Sequence, residues 1–157
     1  MVSKNWQIAG DIFQEMSAFQ GQLAELFTAY EERSGSPRVK LLIGLLTARA
    51  RQCEMDLADY VRDMPMGLKQ TRVQFRVSQT PRSLLGALCD VAEPTVDDVT
   101  AVSVKSDAYF AQTFEGLIAT AEANGQRKLK KIYENMWELE QEAQKSLARQ
   151  ISSLRDL

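Results

Sequence analysis

Four long stretches of this chain place apolar side chains at steps of three and four residues, the spacing of an α-helix that buries one face. In the first, Ile8, Ile12, Met16, Phe19, Leu23, Leu26 and Tyr30 recur in this way, and Phe13 and Phe27 widen the stripe. The second carries Val39, Leu42, Leu46, Ala50, Cys53, Leu57 and Tyr60, and the third Val96, Val99, Ser103, Asp107, Phe110, Phe114, Leu117 and Ala121. The fourth carries Leu129, Ile132, Met136, Leu139, Ala143, Leu147 and Ile151. Each exposed large apolar side chain would forfeit about 1.5 to 3 kcal/mol, so the four stripes have to face one another.

The punctuation between the stripes sets the connectivity. Ser34-Gly35-Ser36-Pro37 ends the first helix and starts the second, with glycine free to take positive φ, Ser36 as cap and Pro37 in the first turn. Thr95-Val96-Asp97-Asp98 offers a hydroxyl cap and first-turn carboxylates for the third helix, and Ala123-Asn124-Gly125 a stop before the fourth. The expected fold is all-α: an up-down four-helix bundle built as hairpin 5–62, crossover 63–94 and hairpin 95–153, one domain over residues 1–157. Within the crossover, Arg72-Val73-Gln74-Phe75-Arg76-Val77 alternates like a strand and 81–88 resembles a short helix. An isolated strand leaves backbone groups unpaired, so pairing with a second copy, and hence a homodimer, is expected.

Composition removes several classes of function. The 19 basic and 21 acidic residues are mixed along the chain, giving a net charge of −2 and no field suited to nucleic acid or a membrane. No apolar run approaches a membrane span and residues 1–12 lack a secretory core, so a cytoplasmic protein is expected. The two cysteines, Cys53 and Cys89, have no zinc-type spacing and are read as reduced thiols, Cys53 as a small buried hydrophobe. Two basic groups stand out, Lys69, Arg72, Arg76 and Arg82, and Arg127, Lys128, Lys130 and Lys131. Without stacking aromatics beside them, both are read as wet faces rather than nucleic-acid sites. Phosphate loops, HExxH and nucleophile elbows are absent, and Gly44 is read as a point of close helix packing.

The stretch AYEERSGSPRVKLLIGLLTARARQCEMDLADY, residues 29–60, resembles the first hairpin of the rubrerythrin-type branch of ferritin-like proteins, and residues 114–151 echo it. Each has an aromatic-led helix end, a short polar turn, and a basic and apolar opening such as Arg38-Val39-Lys40-Leu41 or Lys128-Leu129-Lys130-Lys131. The resemblance implies a di-iron or di-manganese centre held by a glutamate from each of two helices and an ExxH from each of the others. It puts the ExxH positions at Ala50 and Cys53 and at Glu140 and Ala143, and the lone glutamates near Gln20 and Asp107.

This chain contains no histidine. Only Asp107 and Glu140 keep a carboxylate at the implied positions, a poor cage for a transition metal. Arg49, close to the inward face of the second helix, is expected to neutralise one of them in place of a metal. The leading expectation is therefore a ferritin-like protein that has lost its di-metal centre, with no cofactor and no catalytic residues, acting as a structural or interaction protein. The first alternative is a divergent di-metal oxidoreductase or iron-handling protein around Asp107 and Glu140, with Glu15 or Glu115 as further acids. The second is a small-molecule binder using a core pocket lined by Phe19, Phe110, Phe114 and Met136, left open by the small residues Ala50, Ala143 and Gly44.

Overall fold

The computed structural model describes residues 7–73, 83, 86 and 93–155. Four long helices form two hairpins: α1 (Ala9–Arg33) with α2 (Pro37–Asp63), and α4 (Val96–Ala123) with α5 (Arg127–Arg155). A single turn of helix, α3 (Met66–Lys69), follows α2. Two short strands, β1 (Gln7–Ile8) and β2 (Arg72–Val73), pair antiparallel with Gln7 opposite Val73 and Ile8 opposite Arg72. Among the described residues no helix is long and apolar enough to cross a membrane.

The helix boundaries follow local chemistry. Ser36 caps α2 by accepting a hydrogen bond from the Val39 N–H at 3.4 Å, and Pro37 occupies the first turn, where its missing N–H costs nothing. At α4, Thr95 and Asp98 form a capping box: the Asp98 N–H donates to Thr95 Oγ1 at 3.2 Å and the Thr95 N–H to Asp98 Oδ2 at 2.9 Å. Gly125 takes φ +68°, which lets the Gln126 N–H reach back to the Ala121 carbonyl at 2.9 Å and close the helix. The turn at Ser34-Gly35-Ser36 differs from expectation. Gly35 has no positive φ, and the chain leaves α1 through Ser34 in an extended conformation instead.

The β pair is the other correction. The strand at Arg72–Val73 is not isolated: its partner is the start of the same chain, which the apolar pattern assigns to the first helix. Consequently α1 begins at Ala9 rather than residue 5, and its first N–H is satisfied by the Thr71 carbonyl at 2.9 Å instead of a side-chain cap. The unpaired edge that motivated a homodimer is thus occupied from within the chain at these residues. Residues 74–77 of the expected strand lie outside the described residues, as does the expected short helix apart from Ser83 and Gly86, which are both helical.

Ring contacts give the helix directions. Phe13 meets Phe114 with centroids 6.1 Å apart and Phe19 meets Phe110 at 6.4 Å, so α1 and α4 run antiparallel. Since each hairpin is antiparallel too, α2 and α4 run parallel, so the end of α2 and the start of α4 lie toward opposite ends of the bundle. A helix of 27 residues is about 40 Å long, which is why this connection is long. Arg38 at the start of α2 donates to the Leu154 carbonyl at the end of α5 at 3.4 Å, consistent with the same arrangement.

The core takes side chains from all four helices, with Phe13, Phe19, Phe27, Phe110, Phe114 and Tyr133 among its largest fully buried members. Two stripes are rotated from their expected settings. On α5, Tyr133 and Glu140 are buried while Leu139 is 58% exposed. On α4, Val102, Ser106 and Tyr109 are buried beside Val99 and Phe110, and Ser103 and Asp107 lie at the margin. Gly44 does not mark a close approach, since a Cβ there would meet nothing within 4 Å. The close approaches are at Gly21, where the Glu54 carboxylate lies over α1, and Gly10, where the Lys69 carbonyl would stand 3.3 Å from a Cβ.

Candidate functional site

Midway along the bundle, three helices bring charge into an apolar interior. Arg49 lies on α2 one turn before Cys53, Asp107 on α4 and Glu140 on α5. Glu140 is buried, 3% exposed, and its Oε2 accepts a hydrogen bond from Arg49 Nη2 at 2.6 Å. The same oxygen accepts from Cys53 Sγ at 3.4 Å. The Arg49 side chain is 18% exposed, so its stem runs through the core while its head reaches the carboxylate.

The two carboxylates have different surroundings. Asp107 makes no ion pair with any described residue and is only partly buried. Burial pushes its carboxyl up to about 6; the Arg49 charge pulls the other way and the Glu140 charge adds to the rise. For Arg49, burial alone would weaken the guanidinium's hold on its proton, but Glu140 and Cys53 more than offset this and the net direction is up. Burial, then the Glu140 charge, push the Cys53 thiol far above the usual range, against a smaller opposing pull from Arg49. Such a thiol is a poor nucleophile.

Beside this group lies a small cavity of about 30 Å³, lined by Gln20 from α1, Ala50 from α2, Ser103, Ser106 and Phe110 from α4, and Gln144 from α5, with the charged groups on its wall. Gln20 and Ser106 are 7% and 4% exposed. Of the aromatic residues expected to line a core pocket, Phe19, Phe110 and Phe114 are fully buried and make ring contacts. Phe19 packs on Tyr109 at 5.5 Å and on Phe110, Phe114 stacks on Trp137 at 5.2 Å, and only Phe110 of the expected lining touches the cavity.

The expected site positions are therefore brought together only in part. Gln20, Ala50, Asp107 and Glu140 share the cavity, and Cys53 joins through Glu140, while Ala143 is half-buried beside it and does not line it. Glu15 and Glu115, the further acids considered, are exposed on α1 and α4. Ser106 and Gln144 join the site without a signal in the sequence: the apolar period places the α4 stripe one residue from Ser106, and a serine beside such a stripe carries nothing further. Of the basic groups, Arg76 and Arg82 lie outside the described residues, as does Cys89, while Lys130 pairs with Glu122 at 3.3 Å.

The donor set does not fit a di-metal centre. Glu140 already takes a guanidinium at hydrogen-bond distance, which places a fixed positive charge where a metal would have to sit. Among the described residues no group of three or more histidine, cysteine, aspartate or glutamate side chains converges on a point. Comparison with family models, with curated proteins and with solved structures finds no match to this chain.

Proposed function

We propose that this chain is a ferritin-like bundle in which an arginine–carboxylate pair stands in place of the metal centre, and that it serves as a non-enzymatic structural or interaction protein. The observation that carries this reading is the Arg49–Glu140 pair, 2.6 Å long across two helices. In a fold of this kind the interior acid on the fourth helix is a ligand position. An arginine reaching it from the second helix supplies the counter-charge that the acid requires in an apolar core. The parallel course of α2 and α4, with a long link between two hairpins, supports the same relationship.

On α2, Leu41 and Met55 are exposed apolar side chains, 55% and 59% accessible, and are the positions at which an interaction role would be tested first. If the partner is a second copy, light scattering will give about twice the chain mass of 17.7 kDa; a monomer at high concentration counts against it. Metal analysis of dialysed protein tests the central claim. The expected content of iron and manganese is far below one ion per chain. A stoichiometric ion surviving dialysis would sink the proposal and favour a divergent di-metal oxidoreductase or iron-handling protein.

A further inference from the structure

The outer face of α2 exposes Leu41 and Met55, with Ala48, also exposed, midway between them. Each lies about two helical turns from Ala48, so the three fall on one line along the helix, on the side away from the buried Val39, Leu46 and Leu57. The line is open at its middle. Ala48 is small, and a Cβ built on Gly44 beside it would meet nothing within 4 Å, which leaves room for another helix to come close.

Charge on this face changes sign about the same midpoint. Arg38 and Lys40 stand on the amino-terminal side, and Asp56 and Asp59 on the carboxy-terminal side. Arg38 and Asp56 are about five whole turns apart and therefore share one flank of the helix. Among the described residues Asp56 makes no ion pair; its Oδ1 accepts a hydrogen bond from Gln52 Nε2 at 2.9 Å. Arg38 donates to the Leu154 carbonyl at 3.4 Å, and a guanidinium has five donors to distribute.

This pattern complements its own reversal. A twofold rotation about an axis at Ala48, perpendicular to the helix and lying in the plane between two copies, keeps each flank on its own side. It sets Leu41 of each copy against Met55 of the other and Ala48 against Ala48. It also brings Arg38 of each copy level, to within about 3 Å along the axis, with Asp56 of the other. Parallel pairing would instead place Arg38 beside Lys40 of the second copy, a like-charge contact that disfavours it.

We propose that this face is the contact surface of a homodimer in which α2 of one copy packs antiparallel on α2 of a second, centred on Ala48. The proposal rests on the reading of the chain as an interaction protein, and names its partner and its surface. Both copies use the same patch, so the contact closes on itself and assembly stops at two. One helix from each copy makes a small interface, and dissociation in the micromolar range is expected.

Light scattering of the full chain over a range of concentrations tests the association, with the mass expected to rise from 17.7 kDa towards twice that value. Leu41→Glu, at an exposed position, is expected to raise the dissociation constant at least about tenfold, because each dimer loses two apolar contacts. Ala48→Cys, in a chain that also carries Cys89→Ser, is expected to form a disulfide-linked dimer on air oxidation well ahead of Ala119→Cys, which places the thiol at an exposed position on α4. A monomer at every concentration overturns the proposal, and the unaltered protein alone decides that outcome. A dimer whose dissociation constant is unchanged in Leu41→Glu, or that links no faster through position 48 than through 119, also overturns it. Those last two results leave the interaction reading standing with a different surface, and metal analysis bears on the Arg49–Glu140 pair separately.

Discussion

Replacing Arg49 by methionine keeps the aliphatic stem but strips Glu140 of its counter-charge inside an apolar core. The expected loss is about 3 kcal/mol, in the range for breaking one half of a buried pair. Most of it should return in the double variant Arg49→Met with Glu140→Leu, which removes both charges. Chemical denaturation of the four forms checks this, and simple additivity of the two single losses would show that the pair is not coupled. Asp107 gives a pH signature of definite sign. Its folded pKa, about 6, lies above the ordinary carboxylate value, so its contribution to stability is fully present below about pH 4 and lost as the pH rises through 6. Comparing unfolding midpoints from pH 4.5 to 7.5, the Asp107→Asn variant should lose the decline that this group causes. Its full size is at most about 2 kcal/mol, reduced by the residue's partial exposure. The buried, proton-holding Cys53 is expected to react with maleimide far more slowly in the folded chain than in denaturant, as thiol titration would reveal.

At the scale of elements, the caps on either side of α4 do separate work. Thr95→Ala removes one arm of the capping box and should cost about 1 kcal/mol. Gly125→Ala forces a Cβ into a positive-φ position and should cost a similar amount. Gly35→Ala, by contrast, should cost little, because that glycine has ordinary φ and nothing within 4 Å of a Cβ. Unfolding midpoints of the three variants order them, and a Gly35→Ala loss as large as that of Gly125→Ala would contradict the turn geometry. These elements differ in how far they can be read from sequence. Thr95 with Asp98, Ser36 with Pro37, and Gly125 are local chemistry: each side chain or backbone preference acts within a few residues, so the sequence shows it. The start of α1 is different. Gln7 and Ile8 fit a helical stripe, and only the distant Arg72–Val73 segment turns them into a strand.

For the whole molecule, the core is shared by all four long helices, with Phe13 touching α4 and α5 at once through Phe114 and Tyr133. Neither hairpin can keep its buried face without the other, so heat or denaturant should unfold the chain in a single cooperative transition. Chelation adds a whole-molecule check on the proposed function. Since Arg49 rather than a metal is proposed to balance Glu140, EDTA should leave Tm unchanged. A drop of several degrees would mean that a divalent ion contributes to stability.

The sequence by itself determined the number of long helices, their pairing into hairpins and the need for a long return, because apolar period and chain punctuation are local quantities that summed burial converts into architecture. It also carried Arg49 and Glu140 as candidates for one site. Tertiary structure decided the rest. A stripe read from period alone has a rotational latitude of about one residue, which is enough to exchange Leu139 for Glu140 and to hide Ser106. Whether Arg49 reaches Glu140 rather than Asp107 depends on how the second helix packs against the fourth and the third, a relation between residues 91 positions apart that no local pattern encodes.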